Sequence, residues 1–512
     1  MSHDTMDKKD AVDITPAQSH VHQEVAEMHD KALVTREPYG KSACALFATL
    51  GGLLFGYDQG VISVTLVMDQ FLGRFPRVSA EASGAGFWKG LMTAMLELGA
   101  LIGALFAGYL ADKLSRKYAI VVAVCVFTVG SILQTAAIEY AMLTIGRLIG
   151  GMGIGALATI APLYISEIAP PEIRGALLVL QELSIVLGIV VAFWTTYGTR
   201  YMAGEWAWRL PFFLQMVPGF VLGVGIFFLP FSPRWLSAKG RDDEALQVLA
   251  KLRRAPTNDS RVFQEWCEIR AEVTFKQEVN RERHPELQAP TRSNRIKLEL
   301  ASWMDCFRHG CWKRTVVGVG IMFFQQFVGI NALIYYSPSL FKTLGQNYEM
   351  QLLLSGIINC TQLVGVATSL WTMDRFGRRP LLLIGAGLMF ICHLIIAVLV
   401  GKFGDRWASY AVEGWVAVAF LFFYMFSFGA TWGPVPWAMP SEIFPSAYTF
   451  FAVFCLLAFI FTFFCVPETA GKTLEEMDSV FKDISSEAEE QKKTRIMAEI
   501  VEGNRGRYTT SA

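Results

Sequence analysis

QQFVGINALIYY, residues 325–336, sits inside a run, 315–341, that is otherwise apolar enough to cross a bilayer. The carboxamides of Gln325, Gln326 and Asn331 and the phenols of Tyr335 and Tyr336 can bond hydroxyl groups without carrying charge. In hydrocarbon each of these groups needs a partner or a wet cavity. Five of them in one span imply a polar passage rather than a packed core. Gln325 and Gln326 point about 100° apart on a helix, and Asn331 and Tyr335, four residues apart, share one face.

Working outward, apolar runs recur at 43–64, 90–110, 118–138, 141–164, 176–197, 211–230, 351–373, 380–401, 413–439 and 447–466. With 315–341 they make eleven, and about 20 apolar residues suffice for one membrane helix. The runs do not alternate as barrel strands do, so the expected fold class is an all-α polytopic membrane protein. Composition agrees: of 512 residues, 53% are hydrophobic and 18% charged, and mean hydropathy is +0.38.

Net charge is zero, so no acidic or basic partner is implied globally, and no nucleic-acid partner is expected. The placement of charge is more telling. Lys113, Arg116, Lys117, Arg174, Arg375, Arg378, Arg379 and the cation-dense stretch 234–314 fall on one side of the membrane if the N-terminus is cytoplasmic, as the positive-inside rule favours. Arg74, Arg77, Lys402 and Arg406 oppose that bias without reversing it. The nine cysteines show no metal or haem spacing, and no cofactor or metal is expected. No cleavable signal peptide is expected either, because the first apolar run begins near Cys44.

The chain repeats itself. DKLSRK (112–117) answers DRFGRR (374–379), and SEIAP (166–170) answers SEIFP (441–445) in the same order. Repeated motifs at matching places mark a transporter built from two related bundles, with its site between them near the midplane. The expected organisation is a disordered polar tail (1–42), a six-helix bundle (43–235), a linker with short amphipathic helices (236–312), a second bundle (313–466) and a charged tail (467–512). The glycine-rich string at 146–155 lies in the membrane with no strand before it, so it favours close helix approach over nucleotide binding.

These motifs, with GYDQGVIS (56–63), GRLIGGMGIG (146–155), SEIAPPEIRG (166–175), PFSPRWL (230–236), GPVPWAMPSEIFP (433–445) and PETAGKTLEE (467–476), resemble the sugar porters of the major facilitator superfamily in their fungal hexose-transporter form. They cover most of residues 43–476. The resemblance implies that Gln181, Gln325, Gln326, Asn331 and Asn359 bond sugar hydroxyls and that Trp437 covers a sugar face. Asp58 matches the acid that proton-coupled members carry, a residue some facilitators also keep. Asp58 could equally be a carboxylate paired with Arg147, and a proton on it would then break the pair. Glu97 is a second, weaker candidate for coupling and reads first as a structural hydrogen-bonder. Asp112, Arg116, Glu167 and Arg174 in one half, with Asp374, Arg378, Arg379 and Glu442 in the other, read as a cytoplasmic gate of opposed charges. Interhelical hydrogen bonding is the competing reading for Gln181 and Asn359. Two departures stand out: Ser115 where the loop usually has Gly, and Phe231 where Glu is frequent.

The repeat also breaks. Glu167 to Pro230 spans 63 residues and Glu442 to Pro467 only 25, so 38 are missing. That is about one membrane helix with its connection, and by resemblance it is the eleventh of twelve. A splice variant or misjoined gene model of a twelve-span transporter explains this, with a true eleven-span protein as the alternative. The expected function is alternating-access transport of a monosaccharide, with proton symport favoured, in the plasma membrane and without enzymatic activity. Its partners are the sugar, protons and the lipid bilayer. A uniporter, a membrane sugar sensor and a transport-defective isoform are the alternatives, and the short charged tail disfavours the sensor.

Overall fold

The computed structural model describes residues 49–287 and 320–435, apart from 80, 81, 83, 169–173, 322, 404–406 and 408, together with 294, 297, 298 and 301. Ten long helices fall on ten of the eleven apolar runs. They are α1 (Leu50–Thr65), α2 (Ala85–Leu114), α3 (Arg116–Thr135), α4 (Tyr140–Ile168), α5 (Arg174–Thr199) and α6 (Trp206–Phe228), then α7 (Ile330–Thr343), α8 (Tyr348–Phe376), α9 (Arg378–Phe403) and α10 (Ala411–Ala430). Eight of them, α2–α6 and α8–α10, are long and apolar enough to span a bilayer. No strand occurs among the described residues. The eleventh run, 447–466, lies outside the described residues, as do both expected tails.

Small residues set the packing. A Cβ on Gly103 of α2 would stand 2.0 Å from the Met152 carbonyl oxygen of α4, and one on Gly155 of α4 would stand 2.0 Å from that of Ala100. The two backbones therefore touch, which only glycine allows. In the second half, α8 and α10 meet the same way, with Gly365 against Phe426 O and Gly429 against Gln362 O, each 2.6 Å from an added Cβ. Second helix against fourth in both halves is the repeat expressed in packing. Across the halves, α5 lies along α8 and α1 along α7.

The repeated loop motif carries the same backbone in both places. Gly377 has φ 84 and ψ 165, and Ser115 has φ 98 and ψ 156. That region is close to glycine-only and costs a side chain about 1–3 kcal/mol. Ser115 is held there while its hydroxyl caps α3, accepting from Tyr118 N at 3.3 Å. Replacing a serine cap by glycine costs only a few tenths of a kcal/mol. Ser115→Gly is therefore expected to stabilise the protein by about 1 kcal/mol, read as a raised midpoint of thermal unfolding in detergent. An unchanged or lowered midpoint would contradict the strain.

Residues Leu236–Leu298 belong to a separate compact unit. Asp242–Arg253 starts on Asp242, Asp243 and Glu244 and ends on Lys251 and Arg253, which suits the helix dipole at both ends. Arg253 pairs with Glu265 at 2.5 Å and Arg270 with Asp242 at 3.6 Å, joining this helix to Ser260–Arg283. Burial pushes the Cys267 thiol up to about 12, so it packs as a small apolar group rather than acting as a nucleophile.

Candidate functional site

The site begins with a break in a helix. Residues 323–327 are helical, Val328-Gly329 turn out of the helix, and α7 resumes at Ile330. Gly329 has φ 98, which glycine supplies without strain. Leaving the helix frees the Val328 carbonyl, and a freed carbonyl in a membrane must be answered. It accepts from Tyr424 Oη of α10 at 2.9 Å and lies 2.9 Å from His393 Nε2 of α9. Farther on, α7 is kinked again at Tyr336, just before Pro338, whose ring removes one helical hydrogen bond.

The break brings the amides together. Asn331 Nδ2 donates to Gln326 Oε1 at 2.8 Å, Gln326 Nε2 to Gln325 Oε1 at 3.3 Å, and Gln325 Nε2 to Trp432 O at 2.7 Å. All three line a cavity of about 530 Å³, within the range of small-molecule sites. Gln59 of α1, Glu97 of α2, Glu182 of α5 and Gln362 of α8 add polar groups, and Phe55 and Phe428 add aromatic faces. Both halves therefore contribute to one largely apolar chamber with a few polar groups.

Gln181 and Asn359 are placed differently. Both are buried, with both amide atoms lacking a partner among the described residues, and neither lines the cavity. Their helix neighbours Glu182 and Gln362 do. Trp437 and Glu442 lie outside the described residues, as do the side chains of Arg174 and Asp374.

Asp58 pairs with Arg147: Oδ1 accepts from Nη1 at 3.2 Å, and neither side chain has exposed surface. Arg147 Nε also donates to Met92 O of α2 at 2.9 Å. Burying such a pair is unfavourable unless its geometry is good, and an ionisable pair sealed within membrane-spanning helices argues for use rather than stability.

At one end of the bundle, Arg116 binds Glu167 through two bonds of 2.9 Å and Asp112 through one of 2.7 Å. Asp112 is 68% exposed there. Arg378 donates to Met373 O at 3.3 Å. These ion pairs of Arg116 lie within the first half, and Val179 packs against Met373 and Leu381 across the halves. At the opposite end, polar contacts cross. Arg200 pairs with Glu349 at 2.5 Å, Tyr348 Oη donates to Val67 O at 3.2 Å, Thr93 bonds Tyr336 at 2.9 Å, and Tyr335 donates to Glu97. Sequence reasoning did not anticipate this second set.

Residues 44–448 and 446–481 match the family model described as sugar (and other) transporter, in two segments that meet at 446–448. The chain is 35% identical to the MFS-type transporter criB of Aspergillus cristatus, over 86% of this chain and 93% of that protein. It is 31% identical to the high-affinity glucose transporter of Kluyveromyces lactis, over 87% and 86%. Its fold resembles the major facilitator superfamily proton:xylose symporter XylE bound to 6-bromo-6-deoxy-D-glucose, with a TM-score of 0.69 and 27% identity, over 85% of this chain and 98% of that one. The chain belongs to the sugar (and other) transporter family and has the major facilitator fold.

Proposed function

We propose that this protein carries a monosaccharide across the plasma membrane by alternating access, coupled to proton movement in the same direction. No bond is made or broken. One observation carries the reading: Gln325, Gln326 and Asn331 form a bonded row at the wall of a chamber built from both halves. Carboxamides suit neutral hydroxyls, and Phe55 and Phe428 suit the apolar face of a sugar ring. The relatives include a glucose transporter and a proton:xylose symporter. The sealed Asp58–Arg147 pair supports proton coupling, because protonating the carboxylate breaks the pair. The N-terminus and the Arg116 end face the cytoplasm by the positive-inside rule.

The missing stretch belongs to this reading. The family match divides at 446–448, where the repeat loses 38 residues. Both observations support a chain without the eleventh helix of a twelve-helix transporter. In cells without hexose uptake, a panel of labelled sugars with and without an uncoupler tests both points. Monosaccharide accumulation that the uncoupler abolishes is expected, faster in a chain with the missing helix restored after Pro445. Uptake of no monosaccharide by either chain would contradict the function. Uptake insensitive to the uncoupler would contradict the coupling alone.

A further inference from the structure

The Asp58–Arg147 pair has no exposed side-chain surface and does not line the cavity. A proton in the chamber therefore does not meet Asp58 directly. Glu97 does meet the chamber, as part of its lining. It sits on α2, the helix whose Met92 carbonyl also holds Arg147. The charged and polar groups facing it are Asp58 and Gln59 from α1, Arg147 from α4 and Tyr335 from α7. Gln59 hydrogen-bonds it, and Arg147 and Asp58 act on it through space. The Tyr335 phenol donates to Glu97 Oε1 across the seam between the halves.

We infer that Glu97 is the cavity-side acceptor of the coupling proton, and that its protonation state governs how firmly α7 is held to α2. The inference rests on the proton-symport reading. A carboxylate accepts a phenol hydrogen bond about twice as strongly as a neutral acceptor does. Taking one proton from hydronium in the cavity, which is left as water, therefore weakens the bonds to Tyr335 and Gln59 and removes the attraction to Arg147. The piece of α7 that is released lies between the break at Gly329 and the kink at Tyr336. Asn331, which faces the sugar chamber, lies on that same piece. One mobile element thus answers to both proton and sugar, which is what coupling between two sites requires. Thr93, one turn before Glu97, bonds Tyr336 at 2.9 Å and marks the same seam.

The test is the pH dependence of D-glucose and D-xylose binding to the purified protein. In the unaltered protein, affinity is expected to strengthen as pH falls, by up to about tenfold per pH unit for one linked proton. In Glu97→Gln that slope is lost, whatever the change in affinity at a single pH. In Tyr335→Phe, which keeps the carboxyl but removes its partner, the slope remains and its midpoint moves; this variant decides if Glu97→Gln fails to fold. A full slope in Glu97→Gln, or an unmoved midpoint in Tyr335→Phe, overturns the role of Glu97 and leaves proton symport standing. A flat profile in the unaltered protein sinks symport and this inference together, and so does binding of neither sugar.

Discussion

Asp58→Asn is expected to reduce sugar accumulation to simple equilibration, while exchange of internal for external sugar continues. The Asp58 carboxylate is fully buried, and Arg147 is the charged group bonded to it. Under the proposed coupling, each cycle that moves a proton breaks and remakes this pair, and an amide cannot take part. The same change leaves a buried guanidinium without its counter-charge, which destabilises by about 3–5 kcal/mol. Stability and coupling must therefore be separated. Asp58→Asn/Arg147→Gln replaces both charges, so much of the lost stability should return. Accumulation should not return. Counterflow in proteoliposomes and thermal unfolding measure the two effects independently. Accumulation preserved in Asp58→Asn would remove this residue from the coupling path. Recovery of accumulation with stability in the double variant would make the pair a structural one.

How much was legible depended on helical phase. The spans were legible because hydrocarbon forces about 20 apolar residues on each, and ten of the eleven runs coincide with described helices. The two-bundle fold was legible because the loop motifs repeat, and Ser115 and Gly377 share a backbone conformation. The amide cluster of α7 was legible because three carboxamides within seven residues must share a face or a break. Single amides were less readable. Gln181 and Glu182 differ by about 100° in direction, and the structure turns Glu182 rather than Gln181 to the cavity. Asn359 and Gln362 are both buried, and Gln362 rather than Asn359 lines the cavity. Gln59 could have been found as the neighbour of Asp58.

Contacts between distant helices were not legible at all. His393 and Tyr424 meet the Val328 carbonyl only because α9 and α10 pack behind the break in α7. Nothing in their local sequence states this. The same holds for Arg200–Glu349 at the end opposite Arg116. The charged motifs drew attention to one end because they repeat, whereas this latch does not. Glu97 reads in sequence as a hydrogen-bonder without a visible partner. That partner, Tyr335, is on a helix more than two hundred positions away.

The second large effect concerns the sugar itself. Gln326→Ala/Asn331→Ala removes two of the three bonded amides while keeping the Gln325 bond to Trp432 O. A site built to hydrogen-bond hydroxyls loses strongly when those groups go, because the sugar's own polar groups are then buried unpaired. At least about tenfold weaker binding is expected, or ~1.4 kcal/mol, and transport at low sugar concentration should fall in proportion. The fold should tolerate the change, since both side chains face the cavity rather than a packed seam.

Equilibrium binding of D-glucose and D-xylose to the purified protein, with and without this pair of substitutions, is therefore the most direct measurement. The prediction is one saturable site for at least one of the two sugars, lost or weakened at least about tenfold by the double substitution. Equal affinity in both proteins, or binding of neither sugar to the unaltered one, would contradict a carbohydrate chamber lined by Gln325, Gln326 and Asn331.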